Sequence, residues 1–242
     1  MNFFSLKYKV MKNLILLLFL LNLVLNCSKQ NDNSENKVLL DSYYSKILLP
    51  NNFKIDSVKT FDEKTNTKTF IYLPVSDNAK INSEIDKEIE IRKKSFFKKV
   101  EDNIKEGFYN ELGSEFIVTP ISVFVDNNLY SYCFMIDFYI NPAPHGKTEF
   151  YTFNYDISKN KELKFNDFFN IKTAEDSANF KNQITNQINK KGIQLNEIYD
   201  LKFNLKKDSI YFNFDNYEIA SYAEGIIRAK FKKDELSRFI IN

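Results

Sequence analysis

Residues 116–140 read FIVTPISVFVDNNLYSYCFMIDFYI, and this stretch decides the fold. Two apolar runs, 116–125 and 129–140, flank the polar triplet Asp126-Asn127-Asn128. Runs rich in aromatic and β-branched residues predict strands, and Asp and Asn are typical of the turn between two paired strands. The stretch therefore predicts an antiparallel hairpin, around which the other elements can be placed.

Amphipathic helices are predicted on both sides of this hairpin. The first covers about residues 83–106, with Asn82 as its N-cap and Gly107 just after its end. Its apolar side chains recur every three to four residues, which places them on one face of a helix: Ile85, Ile89, Phe96, Val100 and Ile104. The second helix covers about residues 174–191, with Thr173 as its cap.

The order of predicted elements is strands, helix, strands, helix, strands. Such an order predicts an α+β fold with a mostly antiparallel sheet, packed by the helices 83–106 and 174–191. No internal repeat or linker interrupts residues 38–242. We therefore expect these residues to form a single domain.

The N-terminus carries the pattern of a targeting signal. Residues 1–13 contain three lysines and no acid, and a run of about a dozen apolar residues then leads directly to Cys27. Such a run is shorter than the roughly 20 residues of a membrane-spanning helix and is typical of a signal peptide. Translation can start at Met1 or at Met11, because Met11 already opens a complete signal.

The end of this segment, LVLNC at residues 23–27, resembles a bacterial lipoprotein signal. The resemblance implies that residues 1–26 are removed and that Cys27 receives a lipid. Residues 27–37 are polar and rich in Asn and Ser, which predicts a flexible tether. We expect a membrane-anchored lipoprotein of the cell envelope, in the outer membrane on its periplasmic or outer side, because Ser28 rather than Asp follows the cysteine.

The charge of the chain depends on this signal. The 242 residues carry a net charge of +2, but residues 1–26 contain three lysines and no acid, so their removal leaves a net charge of −1. No basic patch with interleaved aromatic residues remains to favour nucleic-acid binding.

The cysteine and histidine counts exclude several kinds of site. The chain has two cysteines, Cys27 and Cys133, and one histidine, His145. Histidine-rich zinc sites and two-histidine metalloprotease motifs are therefore excluded, and we expect no metal and no cofactor. Cys133 lies in an apolar strand pattern, which predicts a small buried side chain rather than a reactive thiol.

Several segments resemble the PdaC/RsiV-type extracytoplasmic domain. Residues 71–75 (IYLPV) and Ile81-Asn82 before the long helix are similar to its PdaC-like N-terminal half, over about residues 50–115. The C-terminal half, over about residues 116–240, is similar to RsiV in a series of short motifs: Pro144-His145-Gly146, Asn154-Tyr155-Asp156, Asp167-Phe168-Phe169, Phe212-Asn213-Phe214, Tyr217-Glu218-Ile219-Ala220, Tyr222-Ala223-Glu224-Gly225 and Glu235-Leu236.

This resemblance implies an extracytoplasmic binding surface without catalysis. The outer domain of RsiV binds lysozyme, and the deacetylase activity of PdaC resides in a separate domain. The candidate surface combines the turn 141–146 with the segment 217–225, and the residues carried over are His145, Gly146, Tyr217, Glu218, Tyr222 and Glu224. The leading hypothesis is a lipid-anchored, non-catalytic protein that recognises a lysozyme-like muramidase or a cell-wall glycan.

Two other functions stay open at the sequence level. A scaffold or assembly lipoprotein would bind a protein partner through a broad apolar or aromatic patch. A hydrolase would need two facing carboxylates, one of them with a raised pKa. Purely structural roles are the alternative for the same residues: His145 is typical of a turn residue, and the tyrosines are typical of the edge of a core.

Overall fold

A computed structural model describes residues 53–108, 112–188, 193 and 195–241. Cys27, the proposed signal 1–26 and the tether 27–37 lie outside the described residues. Within the described ranges, no helix is both long and apolar enough to cross a membrane.

The predicted hairpin forms the centre of a six-stranded sheet. Its strands β3 (Ser114–Val125) and β4 (Leu129–Tyr139) are antiparallel, and Phe116 lies opposite Phe138. The amide of Asp126 donates to the carbonyl of Leu129 at 2.9 Å and closes the turn. The other strands are β1 (Lys54–Asp62), β2 (Thr67–Val75), β5 (Lys147–Asp156) and β6 (Lys161–Glu162), and the spatial order runs from β1 to β6 in chain order.

The long predicted helix is confirmed as α1 (Ala79–Lys105). It crosses between β2 and β3, which allows these two strands to pair in parallel, whereas the other described pairs are antiparallel. Its buried face contacts β3 and β4 in one hydrophobic core. The buried residues of the helix are Ile81, Ile85, Ile89, Phe96 and Val100.

The predicted N-cap of this helix is wrong by one turn. Asn78, not Asn82, caps the helix, because its side chain accepts hydrogen bonds from the amides of Lys80 and Ile81. Asn82 instead bonds the backbone of Ser76: its Oδ1 accepts from the Ser76 amide, and its Nδ2 donates to the Ser76 carbonyl. Gly107 follows the helix with a φ of +86°, as its position predicts.

A second layer of the fold contains a three-stranded antiparallel sheet and its own hydrophobic core. The predicted second helix is present as α3 (Ala174–Ile188), while residues 189–192 lie outside the described residues. Thr173 caps it, since its hydroxyl accepts from the Asp176 amide at 3.0 Å. The remaining elements are α2 (Phe165–Phe168), β7 (Lys202–Leu205), β8 (Ser209–Phe214), β9 (Ile227–Lys232) and 3-10 helices at Tyr222–Glu224 and Asp234–Phe239.

Buried polar bonds join the two sheets. The Asn154 side chain in β5 donates to the Phe203 carbonyl in β7 at 2.8 Å and accepts from the Ser131 hydroxyl at 2.6 Å. Ser131 in turn accepts from the Leu205 amide at 2.7 Å. β7 is therefore fixed against β4 and β5. The fold is α+β with mostly antiparallel sheet, as the sequence predicts.

Candidate binding surface

Two loops that are far apart in the sequence meet at one end of the large sheet. The first, residues 141–146, joins β4 to β5, and its Asn141–Pro142 peptide is cis. Asn141 fixes this loop: its backbone amide donates to the Ser114 hydroxyl at 3.1 Å, and its side-chain amide donates to the Phe108 carbonyl at 3.1 Å. Gly146 approaches β4 so closely that a Cβ atom there would lie 3.2 Å from the Phe138 carbonyl oxygen.

The second loop, residues 215–226, is held against the free edge of β5. The Asp215 carboxylate accepts from the Phe150 amide at 2.7 Å, and the Asn216 side chain accepts from the Thr148 amide at 2.6 Å. The backbone amide of Asn216 also donates to the Thr148 carbonyl at 3.0 Å. These bonds pair edge groups that would otherwise need another strand, and they place Tyr217 directly beside the first loop.

A half-buried ion-pair network fixes the start of this second loop. Lys202 lies 3.0 Å from carboxylate oxygens of both Asp215 and Glu218, and Glu218 accepts from the Asp215 amide at 2.8 Å. Burial by itself would lower the pKa of Lys202, but the two carboxylates outweigh that effect and raise it. For Asp215 burial dominates over Lys202, and the pKa of that carboxyl is raised. Glu218 is thus held in this network, and its role in binding stays a prediction.

The two loops bring three aromatic rings together on the surface. His145 stacks on Tyr222 with ring centroids 3.9 Å apart, and Tyr217 lies 5.8 Å from Tyr222. The Tyr217 hydroxyl and His145 Nε2 are 2.9 Å apart, and His145 Nδ1 donates to the Gly146 carbonyl at 2.8 Å. Since that carbonyl can only accept, Nδ1 carries the proton in this tautomer, and Nε2 accepts a hydrogen bond from the Tyr217 hydroxyl. We call His145, Tyr217 and Tyr222 the aromatic cluster.

The aromatic cluster is exposed to solvent, although the rings of tyrosines are usually buried. Tyr217 is 56% exposed and Tyr222 is 39% exposed. The backbone of this loop is unusual too, because Tyr217 has a φ of +68°. A non-glycine residue in this region costs about 1–2 kcal/mol, which the surrounding bonds must offset. Gly225 ends the loop at φ +69° and ψ −157°, a conformation that is essentially restricted to glycine.

A groove of about 170 Å³ lies next to the aromatic cluster. Tyr222 and Gly146 form its side toward the loops, and Asp137, Thr148 and Glu115 line it from the sheet. Asp137 and Thr148 are directly opposite each other on β4 and β5, and the Thr148 hydroxyl donates to Asp137 Oδ1 at 2.5 Å. The face of the sheet that α1 leaves uncovered thus carries a half-buried carboxyl.

Burial raises the pKa of Asp137, and the hydrogen bond from Thr148 opposes this effect only in part. Among the residues that the structure describes, no second hydrogen bond reaches the carboxyl, so Oδ2 is left without a protein donor. Glu115 is paired only loosely, with Lys68 Nζ at 3.9 Å. No group of three or more His, Cys, Asp or Glu side chains within the described residues could hold a metal ion.

The structure brings most of the candidate residues together. His145, Tyr217 and Tyr222 form the cluster and Gly146 lines the groove, whereas Glu224 is exposed in the 3-10 helix. The sequence interpretation missed Asp137, Thr148 and Glu115. A charged residue in the apolar segment Met135-Ile136-Asp137-Phe138 is the signal that could have identified the groove.

Part of this surface lies in a region that is similar to a family model. Residues 156–234 match a family model described as a protein of unknown function, DUF3298. This region includes Tyr217, Glu218, Tyr222 and Glu224 but not His145. No curated protein matches the chain.

Two solved structures share the fold. A DUF3298-family protein of Bacteroides fragilis is 16% identical, with a TM-score of 0.51, and the match covers 78% of this chain and 94% of that one. A DUF3298-family protein of Pseudomonas aeruginosa is 14% identical, with a TM-score of 0.54, and the match covers 80% and 95%. The resemblance to PdaC and RsiV stays a prediction. The chain thus has the fold of solved DUF3298-family proteins and carries a DUF3298-like region at residues 156–234.

Proposed function

We propose that this chain is a lipid-anchored, non-catalytic binding protein of the cell envelope, whose partner is a basic muramidase of the lysozyme type. The observation that carries the proposal is the exposed aromatic cluster, which two distant loops assemble at fixed positions. Tyrosine is enriched at protein interfaces and at the residues that dominate their binding energy. The Asp215 and Asn216 side chains accept hydrogen bonds from β5 amides, which supports a surface formed before binding and a lower entropic cost of association.

The membrane anchor in this proposal is a lipid on Cys27, in the outer membrane. Its support is the short apolar run, the LVLNC segment and the polar stretch after it. Metabolic labelling with a radioactive fatty acid tests it: the wild-type chain becomes labelled and membrane-bound, and Cys27→Ala does not. A labelled Cys27→Ala chain would contradict the anchor without affecting the binding surface.

Binding of the full-length chain to lysozyme at moderate salt tests the partner. We expect micromolar or tighter binding, and at least a tenfold loss for Tyr222→Ala or Tyr217→Ala, since truncated interface anchors commonly cost about 1.4 kcal/mol or more. Tyr199→Ala is the matched control, because Tyr199 is 48% exposed and lies outside the cluster. Absence of binding at micromolar concentrations, or equal losses in all three variants, would contradict the proposal.

A cell-wall glycan is the second candidate ligand, and the groove is the observation that favours it. At about 170 Å³ the groove is smaller than the roughly 300–1,000 Å³ of sites that enclose a whole small molecule, but one sugar ring beside Tyr222 is of a suitable size. Sedimentation with purified peptidoglycan would detect this function. Retention that Tyr222→Ala abolishes, together with no binding of lysozyme, would favour the glycan.

A carboxylate-dependent hydrolase would use the same groove. Burial raises the pKa of Asp137, which is the direction that a general acid needs, and Glu115 lines the groove with it. A non-catalytic binding protein would lack such activity. Release of soluble fragments from peptidoglycan by the wild-type chain, with loss of release in both Asp137→Asn and Glu115→Gln, would contradict a non-catalytic function.

A further inference from the structure

We infer that the groove beside the aromatic cluster is a pocket for one arginine side chain of a protein partner, with Tyr222 stacking on the guanidinium and Asp137 accepting its hydrogen bonds. The inference rests on the proposed function, because it specifies the chemistry that this surface recognises. It goes further by naming a single side chain and the two residues that bind it.

Size and shape favour a side chain over a larger ligand. The groove is about 170 Å³, open to solvent, and bounded by Tyr222 on one side and by the sheet on the other. Residues that dominate protein interfaces typically insert one side chain into such a pocket, and arginine is among the commonest of them. The exposed aromatic cluster next to the groove provides the surrounding contact area that an isolated pocket would lack.

Charge favours a cation. Asp137 has one oxygen bonded to Thr148, and its other oxygen accepts no hydrogen bond within the part of the chain that the structure describes. Glu115 adds a second carboxylate to the groove, and Lys147 is the basic residue that lines it. The ammonium of Lys147, however, lies 2.7 Å from Glu149 and is already paired. Glu115 is also partly compensated, by Lys68 Nζ at 3.9 Å. The negative charge that remains available in the groove is therefore mainly that of Asp137, which has an unused acceptor.

Geometry favours arginine over lysine. A guanidinium is planar, so it can stack on the Tyr222 ring while its edge donates to Asp137 Oδ2. Its five donors can also reach Glu115, whereas an ammonium is more strongly hydrated and has no flat face. A sugar hydroxyl could donate to the same oxygen, but it would leave the charge of Asp137 uncompensated.

The test uses the full-length chain in detergent micelles and N-acetyl-arginine methylamide as the probe. The matched control probe is the citrulline analogue, which has the same shape without the charge. We expect saturable NMR shifts at the amides of Gly146 and Thr148 with the arginine probe, and at least tenfold weaker binding of the citrulline probe. Asp137→Asn should lose binding at least tenfold as well, because it removes the charge and keeps the shape.

A pH titration provides a readout that a purely structural role of Asp137 would not give. The ionised carboxyl binds the cation, so each pH unit below the pKa of Asp137 should weaken binding about tenfold. This dependence should be clearly weaker in Asp137→Asn, which keeps only Glu115 as a carboxylate in the groove lining. The other titratable or charged groups that face Asp137 are unchanged in that variant: Glu115, Tyr139, Lys147 and Tyr222.

The possible results separate this inference from the proposed function. Equal binding of both probes, no binding of either, or the same shifts with N-acetylglucosamine at lower concentration would overturn the arginine pocket. If lysozyme binding then persists in the wild-type chain, the proposed function stands without the pocket. If the arginine probe binds as expected and lysozyme does not, the pocket stands and the proposed partner is wrong.

Discussion

Replacing Asn154 by alanine tests how the two sheets are held together. Asn154 is 3% exposed, and its side chain makes one hydrogen bond to β7, at the Phe203 carbonyl, and one to Ser131 in β4. A buried hydrogen bond contributes about 1 kcal/mol net, and a group left without its partner costs about 1–3 kcal/mol. Asn154→Ala removes both bonds and leaves the buried Phe203 carbonyl without the side-chain donor. We therefore expect a loss of about 2–4 kcal/mol in the free energy of unfolding.

Urea denaturation followed by circular dichroism measures this loss, since the chain contains no tryptophan to report by fluorescence. Asn127→Ala is the matched control, because Asn127 lies exposed in the hairpin turn and should change stability by less than about 0.5 kcal/mol. Adding Ser131→Ala to Asn154→Ala should cost less than the sum of the two single changes, because they share one hydrogen bond. A loss below about 1 kcal/mol with an unchanged denaturant slope would refute the polar link between the sheets.

Three further predictions follow from single residues. Burial raises the pKa of Asp137, so the folded state binds the proton of this carboxyl more tightly than the unfolded state does, and the stability of the fold declines as the pH rises through that pKa. We therefore expect Asp137→Asn to be more stable than wild type at pH 8. In thermal melts, the difference in melting temperature should shrink toward pH 3. Gly113→Ala should lower the melting temperature more than Gly225→Ala. Both glycines have a positive φ, but a Cβ at Gly113 would overlap the Asn66 carbonyl oxygen, whereas a Cβ at Gly225 would meet no atom within 4 Å. Equal decreases in melting temperature would contradict this. Cys133 is fully buried with its pKa raised to about 12, so peptide mapping should find it unmodified by maleimide in the folded chain and modified in urea.

Local patterns predicted the elements of this fold well. The apolar spacing of α1 and the polar triplet in the β3–β4 hairpin both correspond to interactions between near neighbours in sequence. The misplaced N-cap shows the limit of such reasoning, because Asn78 and Asn82 are chemically identical candidates one turn apart. Ser76 decides between them by bonding Asn82, and no sequence pattern encodes that choice.

The candidate site was predicted only in part, because its geometry depends on long-range bonds. The sequence indicated both loops, but their meeting requires the Asp215 and Asn216 side chains to bond β5 amides more than 60 residues away. The groove depends on Asp137 and Thr148 being opposite each other in the β4–β5 register. Register is a property of paired strands, so residues in one strand alone could not reveal it.

The aromatic cluster contains residues from both layers of the fold: His145 follows β4 of the large sheet, whereas Tyr217 and Tyr222 follow β8 of the small one. The two sheets have separate hydrophobic cores, and local opening of either core would separate the residues of the cluster. The cluster is complete only in molecules in which both cores are closed. Apparent affinity for any ligand is therefore reduced by the fraction of molecules in which the less stable core is open. Conversely, a bound ligand that touches both loops stabilises that less stable core by mass action.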